Sequence, residues 1–559
     1  MSNPPDPVTL ALTGALPSVL LAGSAIAFPL ALGLLRLYRR AVLRGMNQAA
    51  GAGDGVASAA AVTAPAAPAP PPLAFATLDP RPTGGAVLPG PSAWRAAGLY
   101  AVAIAAYAAV MTAAWLLATR DSELLSVKLA FLFWTYLWPA VPAVNLAAAT
   151  DRATRVRVAA GYFAVYAVIA ALALARSADL STLQVVQHWL ITNGPPTVLL
   201  AAFLARRIRA VGPIVLAFAL LAVLGANVAV ALVGASDASM HAAVAAGSAL
   251  GLGGTAIFGL TMALGLAAFG AGAWFVLQWL GKRYAARRLS DEMLTLDAML
   301  LVFGFTQSIG LAFAHWAWIG SGMVGFVAYR IAAHAGYRRL PRVQAPRRLL
   351  LLRVFALGAR SEPLFDALRR RWLRAGGIAM IAGPDLVSSA VEPHEFLAFL
   401  AGKLQRSFVA GDADLAARVA AMDHRPDPDG RFRVDEFFCR ADTWQPTMRR
   451  LVAESDAVLM DLRSFSAANQ GCVYELGRLL DAIALDRVVF VIDASTDRPF
   501  LERTLLQLWT GLDAESPNRR TSAPVVRLLE LHGPTAAEAR AMVEHLGSGH
   551  LSRIAEGVT

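Results

Sequence analysis

Long apolar runs separated by short arginine-rich segments fill residues 8–348. From residue 349 the pattern changes to short apolar runs alternating with amphipathic stretches. The first regime is that of helices in lipid, where about 20 apolar residues cross the hydrocarbon. Runs at 8–35, 96–118, 124–148, 158–175, 185–205, 211–233, 293–313 and 316–333 read as spans. The run at 242–280 exceeds one upright helix and reads as an interfacial lead-in, a break near 251–254 and a single span. About nine spans follow. The first run has only Asp6 before it and Arg36, Arg39, Arg40 and Arg44 after it, the reverse of a secretory signal, so it reads as an uncleaved span.

The second regime predicts strands at 349–357, 378–382, 457–462, 487–492 and 525–531, with a short extra one at 432–438. Helices are expected at 363–375, 392–404, 412–422, 444–454, 471–484, 499–509 and 535–546. This alternation implies an α/β domain with a doubly wound, parallel, five-stranded sheet of flavodoxin-like type. The domain plan is a first span with its basic flank (1–44), a Pro/Ala-rich disordered linker (45–93), a multi-span helical membrane domain (94–340) and the α/β domain (345–550).

Composition supports the membrane reading. The chain is 57% hydrophobic and 16% charged, whereas a soluble domain carries about 25% charged residues. The net charge of +11 sits largely in clusters such as Arg152, Arg155 and Arg157, or Lys282, Arg283, Arg287 and Arg288, between apolar runs. That is a positive-inside pattern, and no nucleic-acid partner is expected from it. With the N-terminus outside and nine spans, each cluster falls on the cytoplasmic side, and the α/β domain with them. A bacterial-type inner membrane fits, and the bilayer is the first expected partner. Cys439 and Cys472 make no disulfide framework.

Lys128, His188, Asp297, His315 and Arg330 lie near expected span ends, where snorkelling is the bland reading. Asn193, Gly194, Pro195 and Pro196 lie mid-span, as a packed kink or as a broken helix lining a cavity.

Candidate chemistry concentrates at 456–477. A buried strand there feeds a polar loop and a helix, which is how α/β proteins build ligand sites. Glu475 is expected in the first turn of that helix, either as an acid facing the helix dipole or as a carboxylate for sugar chemistry. Breaking a ribose–base bond passes through an oxocarbenium-like state that a carboxylate stabilises or attacks. Gly358, Arg360 and Ser361, after the first strand of the domain, are expected to receive phosphates. Asp461 and Arg463 flank the crevice, and Phe465 or Tyr474 would stack on a base. Cys472 reads as a small buried residue. The stretch 423–436 resembles a calcium loop but places Arg425 where the first acid must stand, so it reads as a turn.

These residues resemble those of TIR (Toll and interleukin receptor) domains. The element order is similar. So are Val354 and Phe355 followed by Ser361 and Glu362, and the strand 458–462 followed by Cys472, Glu475 and Leu476, which is similar to the TIR pattern Trp-Cys-x-x-Glu-Leu. Gly471 stands in place of the tryptophan. Gly471, Glu475, Leu476 and Gly477 also resemble the Gly-Thr-x-x-Glu-Leu-Gly of nucleoside deoxyribosyltransferases. The resemblance implies that Glu475 is catalytic in cleaving NAD at the nicotinamide–ribose bond, with NAD as substrate or ligand and no required cofactor. It also implies signalling or defence, with self-association of the domain. A non-catalytic interaction or nucleotide-sensing module is the alternative.

Overall fold

The computed structural model describes residues 7–47, 70–82, 93–120, 126–149, 151–176, 180–203, 211–341, 343, 345–353, 362–383, 393–422, 425–533 and 535–548. The chain divides into two compact units, and each contains a piece of the other's stretch of sequence. One comprises Met1–Tyr38, Trp94–Leu340 and Val391–Leu400; the other comprises Arg39–Ala93, Pro341–Ala390 and Ala401–Thr559.

The first unit is helical, because a chain in hydrocarbon must satisfy its backbone polar groups within itself. It contains most of α1 (Pro7–Met46), then α2 (Ala93–Thr119), α3 (Ser126–Tyr136), α4 (Ala140–Ala148), α5 (Arg152–Arg176) and α6 (Thr182–Phe203). There follow α7 (Gly212–Val233), α8 (Asp237–Ala249), α9 (Gly254–Ala285), α10 (Asp291–Ala312) and α11 (Ser321–Tyr337). Six helices among the described residues are long and apolar enough to cross a membrane: part of α1 (Leu21–Met46), α2, α5, α7, α9 and α10. The bent pair α3 and α4 makes a seventh if it is counted as one span. This is consistent with a multi-pass membrane protein and is fewer than the expected nine spans. The two shortfalls have physical causes. Helix α11 has only 17 residues, because a 3-10 turn at Trp316–Gly320 takes the start of its apolar run. Helix α6 is diluted by Gln184, Gln187, His188 and Asn193. The expected break before α9 is present, with Gly251 at φ +71°.

Pro195 and Pro196 lie inside a continuous α6, and Asn193 is fully buried. Its place follows from another proline. Pro139 has no N–H to give Thr135 O four residues earlier. Trp138 N reaches that carbonyl at 3.4 Å, and Asn193 Nδ2 donates to it at 3.0 Å. Gln307 Nε2 donates to Asn193 Oδ1 at 2.9 Å, and Tyr107 OH donates to Gln307 Oε1 at 2.7 Å. One polar chain thus ties α2, α10 and α6 to the bend between α3 and α4. Asp297 and Arg330 do not snorkel apart: Arg330 Nη1 bonds both carboxylate oxygens of Asp297, at 2.9 and 3.2 Å.

The second unit is built on a seven-stranded, wholly parallel sheet: β1 (Ala74–Leu78), β2 (Leu349–Arg353), β3 (Ile378–Ile381), β4 (Val434–Phe437), β5 (Ala457–Asp461), β6 (Val488–Ile492) and β7 (Val525–Glu530), in the order β1-β7-β6-β5-β2-β3-β4. The five strands expected from sequence take the flavodoxin-like order 2-1-3-4-5. The sheet nevertheless has seven strands, because β4 extends it beyond β3 and β1 extends it beyond β7. Strand β1 comes from within the stretch expected as a linker. It is short, half-exposed and proline-flanked, so no core-like alternation announces it.

Alternate residues of the buried strands face opposite layers. Leu349, Leu351 and Leu459 pack against α12 (Glu362–Trp372) and α18 (Ala536–Ser548). Leu350, Leu352, Val458 and Met460 pack against α14 (Asp412–Ala420), α15 (Trp444–Ala453), α16 (Gln470–Ala482) and α17 (Arg498–Thr510). Helix α13 (Pro393–Leu400) belongs to the helical unit instead. There Glu395 is buried and accepts from Tyr38 OH at 2.9 Å, and Phe396 is fully buried.

Helices α10 and α11 touch through glycine backbones. A Cβ on Gly322 would meet Gly304 O, and Gly322 N donates to Ser308 Oγ at 2.8 Å. A Cβ on Gly310, in the same α10, would meet nothing within 4 Å. Gly322→Ala should therefore separate the two helices and cost roughly 1–3 kcal/mol, seen as a lower thermal midpoint of the full chain in detergent. Gly310→Ala should leave the midpoint unchanged or raised.

Candidate functional site

The sheet changes winding direction between β2 and β5. From β2 the chain steps outward through β3 and β4, returns to place β5 on the other side of β2, and then steps outward through β6 and β7. The carboxyl ends of strands at such a switch point are where open α/β sheets bind ligands. The last residues of the two strands are register partners, Arg353 and Asp461. Both are buried, although each ends an otherwise apolar strand. They border a crevice against α12 that Leu364, Phe365 and Met380 also line.

Asp461 is already engaged. Arg463 Nε and Nη2 reach its two oxygens at 2.8 and 2.7 Å, and both side chains are under 10% exposed. The pair is thus a buried clamp on the loop after β5. Burial works against the charge on Arg463, but Asp461 outweighs it and holds the guanidinium protonated. The next residue, Ser464, is a non-glycine residue at φ +61°, a strained backbone of the kind found at ligand sites. Its hydroxyl lies 3.0 Å from Ser495 Oγ, and Ser495 donates to Asp493 just beyond β6. The loops after β5 and β6 are joined there.

Glu475 stands on α16. The helix begins at Gln470, so Glu475 is its sixth residue and lies beyond the first turn. This corrects the expectation that it faces the free N–H groups. Helical spacing puts it on the core face with Cys472, Leu476 and Leu479, and it is 2% exposed. Its Oε2 has no hydrogen-bond partner among the described residues. Burial pushes its pKa from 4.5 up to about 8, and the Arg353 charge only partly opposes that.

Glu538 shows what a helix-capping acid looks like in the same unit. Burial raises its pKa, but hydrogen bonds from His532, Gly533 and Thr535 hold it below the ordinary carboxylate range. Thr535 and Glu538 form a reciprocal cap at the head of α18. Glu475 has no such bonds among the described residues, so a capping role does not account for it.

The other expected residues divide. Gly358, Arg360 and Ser361 lie outside the described residues. Phe465 is fully buried, with its ring 5.5 Å from Phe500, which removes it as a surface for a base. Tyr474 is half-buried, edge-on to Trp444 at 5.4 Å, and carries the Arg478 guanidinium 5.6 Å from its ring centre. Cys472 is buried, and its thiol is pushed up to about 12, first by burial and then by Glu475. It is a packing residue without thiolate character. Asp427 is held by Arg433 at 2.8 Å, within the expected turn. Sequence reading missed Arg353, Ser464, Asp493 and Ser495. For Arg353 a signal existed: a charge ending a run of four leucines marks a strand's carboxyl end.

Glu475 binds its proton more tightly folded than unfolded. Its contribution to stability is therefore full below about pH 4.5 and is lost as pH rises through about 8. Glu475→Gln should flatten this slope and raise stability at pH 8, by an amount on the order of a few kcal/mol, read from unfolding midpoints at pH 5 and 8. A variant less stable than the parent at pH 8 would contradict this. The chain matches no family model, no curated protein and no solved structure.

Proposed function

We propose that this is a membrane-anchored signalling or defence protein whose TIR-like α/β unit cleaves NAD or a related nucleotide at its N-glycosidic bond. The observation that carries the reading is Glu475: a buried carboxyl, unpaired at Oε2 among the described residues, on the helix that follows β5 at the point where the sheet reverses. In the proposed reaction the base departs with the bonding electron pair. Glu475, as carboxylate, stabilises the cation left on the sugar carbon, and water then adds there and gives up a proton. Arg353 sets the local field, and the loops joined at Ser464 and Ser495 form the rim.

A second reading, nucleotide sensing or protein interaction without turnover, is favoured by the near-complete burial of Glu475. The two readings separate in one experiment. The full chain is the correct reagent, because a piece beginning at residue 345 lacks β1. In nanodiscs with NAD it should release nicotinamide, faster as pH rises toward 8, where Glu475 loses its proton. Glu475→Gln should reduce the rate at least about 100-fold. Equal release by the variant would sink the enzyme reading; tight binding with no release would leave the sensor.

The arginine clusters support a cytoplasmic placement of this unit. Keeping every arginine cluster on that side, with the N-terminus outside and α3 and α4 as one span, requires α6 and α11 to cross as well. Reporter fusions after Arg288 and after Arg348 should both report cytoplasm, and an exterior signal at either would overturn it.

A further inference from the structure

The edge strand β1 belongs to the sheet unit through its contacts and to the membrane helices through its connections. It lies parallel on β7 over five register pairs, from Ala74 with Val525 to Leu78 with Leu529. Two side chains hold the backbone at its ends: Trp509 Nε1 donates to Pro71 O at 2.7 Å, and His545 Nε2 lies 2.9 Å from Asp79 O. Leu73 and Phe75 pack on one layer of the core, and Leu78 packs on the other. None of the five strand residues is itself fully buried. The segment is therefore read as a strand laid into a cradle, and its own packing contributes little to the core.

That cradle is the edge of β7. Without β1 it would present a row of unpaired backbone groups over buried Val526, Leu528 and Leu529. We infer that this edge is an interaction surface for a second copy of the same chain, which supplies its own β1. The shape requirements fit residues 71–79, which every copy carries. The connections permit it: 27 residues separate Met46 from Ala74, and 14 separate Leu78 from Ala93. The shorter connection reaches at most roughly 45 Å when extended, several times a helix diameter of about 10 Å. Exchange preserves each contact and changes only which chain provides the strand. Copies held in one bilayer face each other at raised effective concentration, so crowding in the membrane plane tips the balance toward exchange. The prolines at 70–72 and the Asp79, Pro80, Arg81 and Pro82 sequence stop the strand from lengthening into an open edge that would pair without limit. The inference does not depend on the chemistry at Glu475.

The test uses two full-length chains with different tags, co-expressed in one membrane, one carrying Ala74→Cys and the other Val525→Cys. The native cysteines are both buried and give little background. Mild oxidation should give a mixed-tag disulfide several-fold above either chain alone, rising with expression level. A chain carrying both substitutions that closes only on itself, with no mixed-tag product from the single variants, would overturn the proposal. Asp79→Cys with His545→Cys repeats the test at the other end of the strand, so a folding defect at 525 does not decide it. Absence of any cross-link at both ends, within or between chains, would also overturn it.

Discussion

Pairing of backbone polar groups away from water is the constraint on which both units depend. In the helical unit it makes helices obligatory, and it explains a polar side chain in an apolar core. Pro139 leaves a carbonyl at Thr135 without its i+4 donor, Asn193 donates to it, Gln307 donates to Asn193, and Tyr107 donates to Gln307. In the sheet unit the same constraint brings a strand from the distant N-terminal part of the chain to close the edge of β7.

Against that background Glu475 is an exception. Arg463 and Asp461 satisfy each other, and Glu538 is held by three backbone N–H groups. Glu475 has an oxygen without a partner among the described residues, on the helix that follows β5 and on the sheet face opposite the crevice that Arg353 and Asp461 border. An isolated buried carboxyl is costly, and the protein relieves the cost by raising the pKa and keeping the proton. Such arrangements concentrate at functional sites. The strained Ser464 and the joined loops after β5 and β6 lie at the same carboxyl edge.

Local pattern made much of this legible. Five strands and the helices around them follow from short apolar runs bounded by turns, and the break before α9 follows from its glycines. Glu475 is legible because a buried strand and a polar loop lead into its helix, and because Cys472, Glu475 and Leu476 resemble the TIR pattern. Its turn was misjudged because the loop before it gives no sharp boundary. The structure starts the helix at Gln470, and the Asn469 side chain accepts from Ser466 N instead of capping that helix. Phe465 illustrates the opposite error. A phenylalanine in a polar loop looks available, but the loop folds inward and packs it on Phe500.

By itself the sequence determined the division into an apolar helical part and an α/β part, the parallel character of the sheet and the one carboxylate worth testing. These properties rest on periodicity and residue type, which act over a few turns or a single strand. Tertiary structure alone decided that β1 completes the sheet, that α13 joins the helical unit, that Asn193 serves Thr135 and that Arg353 stands in register with Asp461. Each of these pairs groups far apart in sequence, and nothing local to either partner encodes the distance between them.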